Sequence, residues 1–237
     1  MTAVPPSPGA QCRREQLNWA LRYDPLLPHA EHANGLVLDA GAGVAGLGTY
    51  LPDHPIVAVD LRFFGAPRAA LGGVCASVLR LPFPDGSFST TIASDLFEHL
   101  DPSVRHPALL ELLRVTRDVV VVAFPSGSAA MDDDRWLARR LRLLHRTLPD
   151  WLQEHLALNH PVASDLVSWC PPGLAVGVSK NANRVLHRWV LLLELLPVVG
   201  PSMHRLAWQP KVHRLRGLPN RGRTYREVVE IRLPGLR

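Results

Sequence analysis

The sequence predicts an α/β fold: a doubly wound, mostly parallel sheet with a helical cap inserted after its fifth strand. Three observations carry that expectation. Short apolar runs such as Leu36 to Asp39 and Val119 to Phe124 read as strands buried on both faces. They alternate with stretches of helical spacing, the pattern of parallel strands joined by crossover helices. After Pro125 that rhythm stops, helical stretches follow, and one alternating strand closes the chain.

Taken in order, the first fifteen residues read as a flexible leader, because the first ten are rich in proline and small residues. Residues 16–125 form the expected ligand-binding core. Gln16 to Tyr23 reads as a short helix halted by Pro25 and Pro28. Strands are expected at Leu36 to Asp39, Ile56 to Asp60, Val74 to Ser77, Ser89 to Ser94 and Val119 to Phe124. His106 to Val115 spaces Leu109, Leu110, Leu113 and Val115 as a crossover helix. Residues 126–218 read as cap and closing elements, with a polar stretch leading into a helix from Trp136 to Leu148. A second helix spans Trp151 to Leu158, and an apolar one spans Ala182 to Leu196, with Trp189 to Leu196 read as core. Tyr225 to Leu233, within 219–237, alternates like a strand that returns to the sheet.

A chain of 237 residues, nearly half apolar and a fifth charged, fits one large domain. The N-terminus lacks the pattern of a secretory signal, and no apolar run reaches the roughly 20 residues that span a bilayer. Cys12, Cys75 and Cys170 lie far apart and form neither a metal motif nor an even disulfide set, so a cytoplasmic setting is expected. The net charge of +5 gathers after Pro201. Nucleic acid and peripheral membrane contact are therefore compatible partners, but arginine-biased composition is the favoured explanation.

Leu38-Asp39-Ala40-Gly41-Ala42-Gly43-Val44-Ala45-Gly46 runs from a buried strand through a glycine turn towards a helix start. It satisfies G-x-G-x-x-G, and Asp60 follows about 20 residues on, so a nicotinamide dinucleotide fits as far as these residues go. Asp39 tilts the choice. A carboxylate two residues before the first glycine crowds a pyrophosphate and suits an ammonium, which S-adenosylmethionine (SAM) carries without any phosphate. Asp60 would accept from both ribose hydroxyls. The plainer roles are a carboxylate that caps the following helix or ties the turn together for Asp39 and a polar strand end for Asp60.

Three stretches, Val37 to Gly43, Leu81-Pro82-Phe83-Pro84-Asp85-Gly86-Ser87-Phe88 and Ser94-Asp95-Leu96-Phe97-Glu98-His99-Leu100, resemble the class I SAM-dependent methyltransferases of the type 11 kind. That resemblance implies a Rossmann-like sheet of the seven-stranded type. It also implies that Asp39, Gly41 and Gly43 hold the methionine part, that Asp60 and Leu61 frame ribose and adenine, and that Ser94 lies beside the sulfonium. Ser77, with Val78 beside it, stands where the family has an aspartate that accepts from adenine. Serine accepts more weakly and without charge. Ser89 replaces a second common aspartate.

Asp95, Glu98 and His99 follow the fourth strand at the end where open α/β sheets present their crevice. The candidate catalytic residue is His99, a base near neutral pH. Resemblance to an E-x-x-E-H arrangement in some quinone O-methyltransferases also suggests a divalent ion, and a loop-fixing role is the plain reading; no metal is expected. Arg135, Arg139, Arg140, Arg142 and Arg146 surround Trp136, Leu137 and Leu141 as the solvated face of a cap helix. His155 and His160 lie near it and are not taken as catalytic. The function expected is methyl transfer from SAM to a small-molecule acceptor. The alternatives are a nicotinamide-dependent oxidoreductase, a nucleic-acid-binding protein, or a degenerate protein that only binds SAM.

Overall fold

The computed structural model describes residues 22–43, 46–63, 65–67, 69–194 and 222–234. Its centre is a seven-stranded sheet. In chain order the strands are β1 (Val37–Ala40), β2 (Ile56–Asp60), β3 (Gly73–Cys75), β4 (Phe88–Ser94), β5 (Thr116–Pro125), β6 (Ala175–Asn183) and β7 (Thr224–Arg232). Across the sheet they run β3-β2-β1-β4-β5-β7-β6. The first five are mutually parallel, and β7 lies antiparallel between β5 and β6.

The central strands β1, β4 and β5 form where expected because most of their residues are buried on both faces. Every residue of β1 and β4 is buried, including Ser89, Thr90 and Thr91. Leu38, Ala93, Val120 and Val122 face one core with Phe88, Phe97 and Leu112, and Val37, Ile56, Ile92 and Val121 face a second with Tyr23 and Leu26. Alternation along the strands divides these residues between the two faces. The order places β1 and β4 side by side at the centre, where connections leave in opposite directions and a crevice opens at the carboxyl ends.

Several elements differ from the sequence reading. The third strand is Gly73–Cys75, and Ser77 forms only an isolated bridge with Arg80. No long helix begins at the glycine turn among the described residues; a 3-10 turn, Leu47–Thr49, stands there. Helix α1 (Leu27–Glu31) starts with Pro28 in its first turn, a position that tolerates proline. Of the helix read at Gln16 to Tyr23, only Arg22 and Tyr23 are described.

Helix α2 (Pro102–Val115) begins four residues before the expected His106, because Asp101 caps it and accepts from the Ser103 N–H at 2.9 Å. Helix α3 (Gly127–Leu143) begins nine residues before Trp136 and stops at Leu143. The stretch read as polar linker is helix, with Asp133 and Asp134 turned inward. Helix α4 (Asp150–Leu158) packs Leu152 against Leu137, Ala138 and Leu141 of α3 in a small core of its own. Helix α5 (Ala163–Trp169) follows and lies against β7.

The edge strand β6 was missed by the sequence reading. Only Asn181 on it is buried, so it shows no apolar alternation. Ala182 belongs to β6, and α6 runs from Arg184 to Glu194. Its Trp189 is 60% exposed, which corrects the expectation of a core helix; Val190 is the buried side. The remainder of that stretch and the basic segment up to Arg221 lie outside the described residues. No helix among the described residues is long and apolar enough to cross a membrane.

Candidate active site

A cavity of about 400 Å³ opens at the carboxyl ends of β1, β2 and β4. Gly41, Ala42, Gly43, Asp60 and Ser94 line one part of it, and Asp134, Trp151, His155 and His187 from the helical layer line another. Gly41 and Gly43 have φ of +75° and +54°, a backbone region open to glycine, and a Cβ at Gly43 would meet no atom within 4 Å. The turn therefore presents bare backbone to the cavity.

Asp60 ends β2 and reaches across to that turn. Its Oδ2 accepts the Gly43 N–H at 2.9 Å, and its Oδ1 accepts the Arg62 N–H at 3.3 Å. A carboxylate has about four lone-pair sites, so both oxygens can still accept from a ligand.

Asp39 behaves differently. It is 1% exposed, outside the cavity walls, and its Oδ2 accepts the Leu47 N–H at 2.6 Å. A Cβ on Gly46 would come within 2.2 Å of that oxygen, so the third glycine serves this close approach. Burial pushes the Asp39 carboxyl up to about 7, outweighing the bond from Leu47. Its role in this structure is to tie the turn together, and its Oδ1 has no partner.

Three further sequence candidates lie away from the walls. Leu61 is 72% exposed. Ser77 accepts the Leu79 N–H at 3.2 Å within a tight turn. Val78 is buried in the larger core, where apolar packing holds it. The structure thus gathers Gly41, Gly43, Asp60, Ser94 and His99 at the cavity, and not Asp39, Leu61, Ser77 or Val78.

Asp95 takes positive φ at the end of β4, and its carboxylate pairs with Arg226 and, at 3.4 Å, with Arg22. Burial opposes ionisation there, but the two guanidiniums outweigh it and hold the carboxyl well below the usual range. That engagement takes Asp95 out of any ion-binding set with Glu98 and His99. Glu98 is 1% exposed, and neither of its oxygens has a partner among the described residues. Burial, with Asp95 beside it, pushes its carboxyl well above the usual range, so it stays protonated.

His99 lies on the 3-10 turn Phe97–His99, against which α4 packs. Its Nδ1 is 2.7 Å from Glu154 Oε2. On the same helix His155 Nδ1 is 3.0 Å from Asp134 Oδ2, and the same oxygen is 2.7 Å from His160 Nε2. Burial lowers the pKa of His155. The His99 and His155 rings are 4.8 Å apart. Glu98, His99 and His155 each offer one ligand atom within 4.8 Å of the others, as do Asp134, His155 and His160.

Sequence reasoning did not find Arg22, Asp134 or the pairing of Arg226 with Asp95. The one available signal was that Arg226 falls in the alternating stretch Tyr225 to Leu233, expected to return to the sheet. Nothing local marks Arg226 as the partner of a residue 131 positions away.

Residues 38–124 match the Methyltransf_11 family, a methyltransferase domain. With the seven-stranded sheet, the match makes these residues similar to the class I SAM-dependent methyltransferase domains, whose cofactor is SAM. Among solved structures, the chain is similar to the [4+2]-cyclase SpnF, at 15% identity and TM-score 0.54 over 91% of this chain and 82% of that one. A protein of Anabaena variabilis assigned as a methyltransferase of an antibiotic biosynthesis pathway matches at 12% identity and TM-score 0.53, over 92% and 98%. The 1,6-didemethyltoxoflavin-N1-methyltransferase of Burkholderia thailandensis, with bound 1,6-didemethyltoxoflavin and S-adenosylhomocysteine, matches at 15% and 0.50, over 90% and 78%. These likenesses show the fold. No curated protein matches the sequence.

Proposed function

We propose that the protein transfers a methyl group from SAM to a small-molecule acceptor held in the same cavity. The observation that carries this reading is the continuity of the cavity, which runs from Gly41, Gly43 and Asp60 to His99, His155 and Trp151. The bare glycine backbone and the unused lone pairs of Asp60 fit the cofactor, with Asp60 accepting from the ribose hydroxyls. When bound, SAM supplies an electrophilic methyl on a good leaving group.

The protein then has mainly to align the acceptor and exclude water. Trp151 and α4 close the cavity over the turn that bears His99. Glu154 takes the Nδ1 proton of His99 in a hydrogen bond, which leaves Nε2 with its lone pair for a proton released by the acceptor. His155, held in the same way by Asp134, stands beside it. A cavity of this size admits a compact molecule, and the Burkholderia enzyme of like fold has one bound.

Because a [4+2]-cyclase shares the fold, the test must read both binding and turnover. Calorimetry is expected to show binding of S-adenosylhomocysteine and none of NAD. Labelled SAM offered with a library of small acceptors is expected to yield methylated product and S-adenosylhomocysteine. Binding of NAD, or cofactor binding without turnover on any acceptor class, would overturn the assignment.

A further inference from the structure

The buried charge around Asp95 does not balance. Arg22 and Arg226 both line the cavity and share that one carboxylate. Arg226 is 1% exposed. Its Nη1 is taken by Asp95, while Nε and Nη2, the two donors along one edge of the guanidinium, have no partner among the described residues. The Nε of Arg22 is likewise buried without a partner.

No second anion is at hand among the described neighbours. Glu98 keeps its proton, and burial holds Tyr23 and Tyr225 in their neutral forms. Burial, together with the two arginines, pushes His187 down to about 3, so it too is neutral. Asp133 is engaged by Arg184 and Arg188, and Asp134 by His155 and His160. Among the described residues two cations therefore face one anion, and a buried charge such as that of Arg226 is costly where its donors lack partners. An anion brought in by a ligand would remove that cost.

The free edge of Arg226 names the kind of anion. Nε–H and Nη2–H are parallel donors, spaced for the two oxygens of a carboxylate or phosphate. We propose that Arg226, with Arg22, forms an anion-binding subsite for a carboxylate or phosphate group on the acceptor. Its neighbours are Tyr225 and His187, whose hydroxyl and Nδ1 are 3.0 Å apart, on β7 and α6 and far along the chain from the glycine turn. The inference rests on the methyltransferase reading of the cavity. The methionine carboxylate of SAM has the same chemistry, and the experiment separates the two sources.

The test is calorimetry on the full chain, wild type and the Arg226→Met and Asp95→Asn variants, with thermal melts to confirm folding. The probes are S-adenosylhomocysteine, 5′-methylthioadenosine, which lacks the amino-acid carboxylate, and benzoate against its neutral counterpart benzamide. Benzoate is expected to bind the S-adenosylhomocysteine-loaded wild type, and benzamide not. Arg226→Met should weaken benzoate at least about tenfold while cofactor affinity holds, as expected for loss of hydrogen bonds to a charged group. Asp95→Asn, which removes the competing carboxylate, should tighten benzoate binding.

Equal binding of benzoate and benzamide would overturn the proposal, as would no change in either variant. If Arg226→Met weakens S-adenosylhomocysteine but not 5′-methylthioadenosine, the arginine serves the cofactor and the acceptor subsite is refuted. Failure of the wild type to bind S-adenosylhomocysteine would instead refute the methyltransferase reading. Benzoate titrated into the unloaded protein decides the anion site in that case as well.

Discussion

His155 Nδ1 lies 3.0 Å from Asp134 Oδ2, and that oxygen also faces His160 Nε2 at 2.7 Å. One carboxylate oxygen thereby accepts from two imidazoles and fixes the tautomer of each. Burial favours the neutral carboxyl of Asp134, but the bonds from His155 and His160 outweigh it and lower its pKa. His155 is left with an unprotonated Nε2 in the cavity wall, next to His99. The acid therefore orients a pair of histidines across α3, α4 and the loop that follows.

Asp134→Asn should break this arrangement, since an amide oxygen offers a weaker acceptor and its NH2 would face an imidazole N–H. Steady-state kinetics are expected to show kcat reduced about 10- to 100-fold, with KM for SAM little changed. His99→Ala should reduce kcat by roughly 10² to 10⁴ if His99 takes the proton. A kcat unchanged in His99→Ala would remove the histidine from the reaction.

Asp60→Ala removes the tether on the Gly43 N–H and, with it, the acceptor proposed for the ribose hydroxyls. Affinity for S-adenosylhomocysteine, read by calorimetry, should fall about 10- to 100-fold, in line with two lost charge-assisted hydrogen bonds. Unchanged affinity would sink the ribose assignment.

Asp39 makes stability depend on pH in a stated direction. Its folded pKa, about 7, stands above the ordinary aspartate value of 3.8, so the folded state binds the extra proton between those values. Its contribution to stability is present below pH 3.8 and is lost as pH rises towards 7. Asp39→Asn keeps an oxygen for the Leu47 N–H and has no proton to lose. Thermal melts should therefore show it stabilised at pH 8 by a few kcal/mol relative to wild type, and nearly equal at pH 4, since one pKa unit is about 1.4 kcal/mol. Weaker S-adenosylhomocysteine binding in the same variant would restore the expected contact with the cofactor ammonium.

Arg105 is buried in the joint between α2 and the helical layer. Its Nε donates to Leu100 O at 3.1 Å, and its Nη2 to Leu158 O at 3.2 Å and Asn159 O at 2.6 Å. Arg105→Met leaves three carbonyls without that donor and is expected to cost roughly 2–3 kcal/mol, read as a lower denaturation midpoint. Because Arg105 does not line the cavity, S-adenosylhomocysteine affinity should change far less than stability does.

The sequence by itself determined the central strands and the glycine turn. A strand buried on both faces is mostly apolar, so the runs Leu36 to Asp39 and Val119 to Phe124 announce β1 and β5, and a turn that exposes backbone needs Gly41 and Gly43. Asp60 was legible for the same local reason, as an acid that ends an apolar strand. Only the tertiary structure decided the rest. An edge strand such as Ala175–Asn183 buries little and so carries no apolar pattern, while the inward Asp133 and Asp134 of α3 made its first turns look like a polar loop. Whether an acid binds ligand or protein also depends on who meets it in space. Asp39 found the Leu47 N–H, Asp95 found Arg22 and Arg226, and Asp134 found two histidines, because the sheet order and the helical layer bring together segments that have no relation along the chain.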